Sequence, residues 1–158
     1  MNKSLRTGLG FGLTSAVITT LGLMIGLNAT TGSKLAVIGG ILTIAIADAF
    51  SDALGVHVSK ETEPNAIARE VWGATGFTFL FKFLFALTFL IPVILFSLPI
   101  AITISIIWGL SILGILSYKM AQSQGQSRWE SIREHLSVAI LVLILSNISG
   151  NLIAHYFR

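Results

Sequence analysis

The sequence predicts an all-α integral membrane protein of five transmembrane helices. Over half of its 158 residues are apolar (54%) and only 11% are charged, whereas a soluble domain carries about 25% charged residues. Mean hydropathy is +0.86. The apolar residues also gather into segments close to or beyond the roughly 20 residues that cross a bilayer: approximately 8–29, 33–58, 71–96, 98–118 and 135–157. Little chain is left for a soluble domain, so residues 1–158 read as one transmembrane domain whose surroundings are lipid.

The first segment follows Met1-Asn2-Lys3-Ser4-Leu5-Arg6 with no clear small-residue cleavage site, and reads as an uncleaved helix. Turn and cap residues, Asn28 to Ser33, separate it from the second. Pro92 and the Ser97-Leu98-Pro99 step predict that the third segment bends or ends there and that the fourth begins almost at once. The polar stretch Gln122–Ser127 reads as a linker, and Trp129–Glu134 as a short interfacial turn into the fifth segment.

Loop charge sets the expected topology. Lys3 and Arg6, the connection from Lys60 to Arg69, and the loop with Lys119, Arg128 and Arg133 share one face, against Lys34 and Arg158 on the other. The positive-inside rule then places the N-terminus in the cytoplasm and the C-terminus outside, by default in a prokaryotic inner or plasma membrane. The net charge of +3 therefore speaks to topology. No Lys/Arg tract or RNA-binding motif is present, so no nucleic-acid partner is expected. The chain has no cysteine, which removes thiolate metal ligands and disulfides.

Two aspartates, Asp48 and Asp52, lie one turn apart within the second segment. A carboxylate at membrane depth costs roughly 2.5 kcal/mol or more on insertion scales, so two on one helix point to a cation or proton site. At about 100° per residue, Gly55 and Ser59 share their stripe and His57 points the other way. Ser15, Thr19, Gly22 and Gly26 form a small and polar stripe on the first helix, expected to pack on the acidic stripe of the second. Asn147, Asn151 and His155 form a third on the last helix.

The plainer readings stand beside these. Lys82, mid-way along the third segment, is the candidate charge partner for an aspartate, but one lysine neutralises only one of two. The asparagines serve equally as interhelical hydrogen-bond partners. Phe77, Phe79, Phe81, Phe83, Phe85 and Phe89 are expected to face lipid or a neighbouring helix. Glu61 and Glu63 are either solvated charges at a helix end or a cation-gathering cytoplasmic mouth. No nucleophile–base pair, phosphate loop or metal-ligand triad is visible, so no enzyme is expected.

The run from Gly12 to Gly26, the run from Gly39 to Glu63, the Phe-rich third helix with Ile91-Pro92, and Ser149-Gly150-Asn151-Leu152-Ile153 together resemble the vacuolar iron transporter family. The resemblance implies a five-helix protomer with a cytoplasmic N-terminus, assembled as a homodimer, with a divalent-metal and proton antiport pathway along the dimer interface. There are departures from the family pattern. Ser15-Ala16 stands where the family has an Asp-Gly step, Asp52 where it has a methionine, and Gly55-Val56-His57 where it has Gly-Glu-Tyr. Its long glutamate-rich cytoplasmic region is reduced to residues 60–69.

Exchanging a thioether for a carboxylate favours hard cations such as Mn²⁺, Mg²⁺ or Ca²⁺, with Fe²⁺ still accommodated. In a dimer, Asp48 and Asp52 of two copies would offer four carboxylates as metal ligands, with Ser15, Thr19, Asn147 and Asn151 as neutral donors along the cation pathway. Close carboxylates bind protons as well as metal, which couples cation binding to proton release. No permanently bound cofactor is expected. The leading expectation is thus a secondary transporter exporting a divalent cation against protons. The alternatives are a non-transporting membrane assembly or scaffold protein held by Asp–Lys contacts, and a proton or organic-cation transporter without metal.

Overall fold

The structure is a computed structural model that describes residues 3–157; Met1, Asn2 and Arg158, used above for the first helix and for topology, lie outside the described residues. Its elements are α1 (Lys3–Thr31), α2 (Lys34–Glu61), α3 (Ala68–Thr88), α4 (Leu90–Leu95), α5 (Leu98–Gln124) and α6 (Arg128–Phe157), with no strand among the described residues. Taking α3 and α4 as one span, Ala68–Leu95, five helices are long and apolar enough to cross a membrane.

Local chemistry sets the boundaries. Gly32, at φ 60°, takes the left-handed turn after α1, and the Ser33 hydroxyl accepts the Ala36 N–H at 3.2 Å to cap α2. Gly125, at φ 67°, closes α5, with the Gln126 N–H bonded to the Ala121 carbonyl at 3.0 Å.

The third span breaks where Pro92 predicts. Proline has no N–H to give the Thr88 carbonyl, and the Phe89 N–H turns back three residues to Ala86 at 3.2 Å. Trp108 of α5 donates to the Thr88 hydroxyl at 3.3 Å, tying the break to its neighbour. Lys34, expected only as a loop charge, donates to the Ile94 and Phe96 carbonyls at 3.1 and 3.0 Å, a cation on the end of α4.

Two boundaries need correction, the first being that α5 continues through Gln122–Gln124 and leaves only residues 125–127 as linker. Trp129–Glu134 is helix, not an interfacial turn: α6 starts at Arg128, the Ser131 N–H bonds to the Ser127 carbonyl at 3.1 Å, and Glu130 suits the positive end of the helix dipole.

The most covered span is α1, half of whose apolar window is buried. It packs against α2, α3, α5 and α6. Around it lies a core of Val17, Leu21, Met24, Val37, Ile41, Phe89, Val93, Leu98, Ala101, Leu113 and Ala139. Gly22 and Gly26 do not meet α2 as the stripe pattern led us to expect. They face Val142 and Ser146 of α6, because the α2 side of α1 is taken by Ser15 and by the leucine pair Leu23 and Leu27 against Gly40.

The closest seam lies between α1 and α3. A Cβ built on Gly8 would come 2.4 Å from the Phe77 Cβ and 2.7 Å from backbone atoms of Phe77 and Thr78, and one on Gly12 would come 2.9 Å from the Thr78 carbonyl oxygen. Gly8→Ala should therefore lower stability by about 1–3 kcal/mol in thermal denaturation of the detergent-solubilised protein. Gly39→Ala, where nothing lies within 4 Å, should leave it unchanged.

Candidate cation site

The α1–α3 seam places α3 so that Lys82 points into the bundle between α1 and α2. Its side chain is 2% exposed, and an ammonium so deep in an apolar bundle requires anionic and hydrogen-bonding partners. It has three. The Nζ donates to Asp52 Oδ2 in an ion pair, donates to Ser15 Oγ at 2.8 Å, and lies 2.6 Å from Asp48 Oδ2.

The single lysine thus contacts both aspartates, although its one charge offsets only one of them. The helical repeat explains it, since residues four apart stack on one face and bring both carboxylates to a single point opposite α3. Two carboxylates and one ammonium leave the cluster with a formal charge of −1.

The two carboxylates are bound unequally. Asp52 Oδ2 accepts from both Lys82 and the Ser15 hydroxyl, the latter at 2.6 Å. Asp48 Oδ2, buried and close to the ammonium, accepts no hydrogen bond from a described residue. Its contact with Lys82 is electrostatic, without the alignment that a hydrogen bond needs. The Asp48 side chain is also the more exposed, 26% against 19% for Asp52.

That exposure opens into a groove of about 680 Å³ between α1 and α2, lined by Thr19, Leu23, Leu27, Ala36, Gly40, Thr43, Ile44, Ala47, Asp48 and Ser51. The groove runs from Asp48 toward the α1–α2 turn. Thr19 is therefore on the route as expected, although its hydroxyl donates to the Ser15 carbonyl at 2.9 Å and offers the groove only its remaining acceptor capacity.

Other predicted site residues stand apart. Asn147 and Asn151 lie on the exposed face of α6 and make no hydrogen bond to the aspartates, since α6 packs on α1 and α5. Glu61 and Glu63 are exposed at the end of α2, where Glu63 pairs with Lys60 at 2.5 Å. Among the described residues no three His, Asp or Glu side chains gather as a metal-ligand group. A single copy therefore presents two carboxylates, one hydroxyl and one competing ammonium.

Two interfacial histidines are better placed than the sequence indicated. His57 Nδ1 lies 3.0 Å from the Thr75 hydroxyl, and His135 Nδ1 lies 2.8 Å from that of Ser117. Each hydroxyl also donates to a carbonyl one turn back, at 2.8 and 2.7 Å. Sequence spacing could not pair residues 18 apart on different helices.

Breaking the cluster from the lysine side should be severe. Lys82→Met leaves two carboxylates without their cation and should cost about 3–5 kcal/mol in unfolding followed by tryptophan fluorescence. Adding Asp52→Asn to Lys82→Met should restore part of that loss. No family model, curated protein or solved structure matches the chain.

Proposed function

We propose that this protein is a secondary transporter that exchanges a divalent metal cation for protons, exporting the metal from the cytoplasm across an inner or plasma membrane as a homodimer. The observation that carries this reading is the state of Asp48: a carboxylate oxygen buried at the head of a groove, near a cation yet accepting no hydrogen bond. Asp52, by contrast, accepts through Oδ2 from both Ser15 and Lys82. The cluster thus has one fixed carboxylate and one with coordinating capacity to spare.

Lys82 supplies the other half of the mechanism. Two unpaired carboxylates inside a bundle are costly, and the ammonium stands in for the cation while the site is empty of cargo. For export, a cation entering from the cytoplasmic side competes with Lys82 for the pair and leaves past Asp48 along the α1–α2 groove, which runs toward the outer face. When the cation leaves, the ammonium or protons restore the charge balance. Hard, oxygen-seeking ions such as Mn²⁺, Ca²⁺ or Fe²⁺ suit two carboxylates and the Ser15 and Thr19 oxygens. Alternating access follows if the groove closes while a route opens on the other side.

A second reading has its own support. Lys82 is buried and touches two aspartates and a serine on two other helices, an arrangement that also serves a protein whose role is to hold a membrane assembly together.

Flux separates the two readings. In proteoliposomes under an imposed pH gradient, the wild type should move Mn²⁺, Fe²⁺ or Ca²⁺ with counter-movement of protons. Asp48→Asn should lower that flux at least tenfold with helicity and elution unchanged. Normal flux by both Asp48→Asn and Asp52→Asn would remove the assignment, and absent wild-type flux from a folded protein would favour the assembly role.

A further inference from the structure

We infer that the exposed face of α6 is the surface through which two copies of this chain associate, side by side and parallel, about a two-fold axis along the membrane normal. The inference does not depend on which ion the carboxylates carry.

Of the five spans, α6 is the least covered, with 17% of its apolar window buried. Its inner side is fixed by Ala139 in the core and by Gly150 against the Gly26 carbonyl, Ala29 and Thr30 of α1. Turned away from α1 runs a row at alternating spacings of three and four: Ser137, Ile140, Ile144, Asn147, Asn151 and Ala154. The first five are exposed and Ala154 half-exposed. A row at this spacing can lie along a parallel, left-handed helix pair, and it is the exposed row that carries both asparagines.

The two amides identify the occupant. Asn147 lies about 20 Å along the axis from Glu134, inside the apolar stretch, and neither Asn147 nor Asn151 has a side-chain hydrogen-bond partner among the described residues. Hydrocarbon offers none, and a buried amide without partners is unfavourable. An amide is self-complementary, having both donor and acceptor. Two copies inserted in the same sense, related by an axis along the membrane normal, bring Asn147 opposite Asn147 and Asn151 opposite Asn151 at equal depth. An isologous pairing therefore matches both amides at once, whereas an unrelated partner would need two polar groups of its own at those depths. In this arrangement the groove beside Asp48 lies off the axis, beyond α1. Each copy then carries its own route, in place of the interface-shared pathway implied by the resemblance.

The absence of native cysteine makes the test direct. Full-length Ile144→Cys in membranes, treated with a membrane-permeant oxidant, should form a disulfide-linked dimer. Ser51→Cys, on the exposed face of α2, should not. In detergent, Asn147→Leu/Asn151→Leu should raise the dimer dissociation constant at least tenfold with helicity intact. Cross-linking of Ser51→Cys but not Ile144→Cys, dimerisation unchanged in the double asparagine variant, or a wild type that stays monomeric in membranes would each overturn the inference.

Discussion

The structure turns on one buried cation. Lys82 carries the only charge that α3 places inside the bundle, and its partners come from α1 and from two successive turns of α2. In an apolar bundle, a charge without partners is among the least favourable things a helix can bury. The need to satisfy this one holds three helices in a fixed register. The glycines of α1 make that register possible. With no side chain at Gly8 or Gly12, the backbones of α1 and α3 come close enough for Lys82, one turn beyond Thr78, to meet Ser15 and reach past it to α2.

Within that constraint the two aspartates are not equivalent. Asp52 is held by two donors and shares its oxygen with the lysine and the serine. Asp48 keeps its place by electrostatic attraction alone and faces the groove. The cluster thus holds two carboxylates of unequal hydrogen bonding around one ammonium. The contacts that hold the fold and the proposed cation exchange thus rest on the same four side chains. The transport and assembly readings for this reason differ in what they measure more than in which residues they name.

Elsewhere several polar atoms are met locally, although the buried hydroxyls of Thr20, Thr78 and Ser105 have no hydrogen-bond partner among the described residues. The break before Pro92 is covered by Trp108 on one side and by Lys34 at the end of α4. The histidines His57 and His135 each hydrogen-bond with a hydroxyl on a neighbouring helix. The amides of α6 are unpartnered on the outside. They lie on the outer surface of the least covered helix, where only another molecule of matching chemistry can satisfy them.

The sequence by itself determined the all-helical class, the five apolar spans, the bend at Pro92 and the turn at Gly32, because each depends on local properties: apolar length, a missing N–H, a residue tolerant of positive φ. It also singled out Asp48, Asp52, Ser15 and Lys82, since charges and hydroxyls in apolar runs are conspicuous without any fold. Tertiary structure alone decided how they combine. A helical wheel gives the face of one helix but not which neighbour meets it. For that reason Lys82 was legible as a charge partner but its contact with both carboxylates was not, Gly22 and Gly26 were expected against α2 and meet α6, and Asn147 and Asn151 were grouped with the site and lie on the outer face of α6. Contacts between helices depend on the closest approach of whole backbones, and that is set by small residues such as Gly8, Gly12 and Gly150, far from one another in the chain.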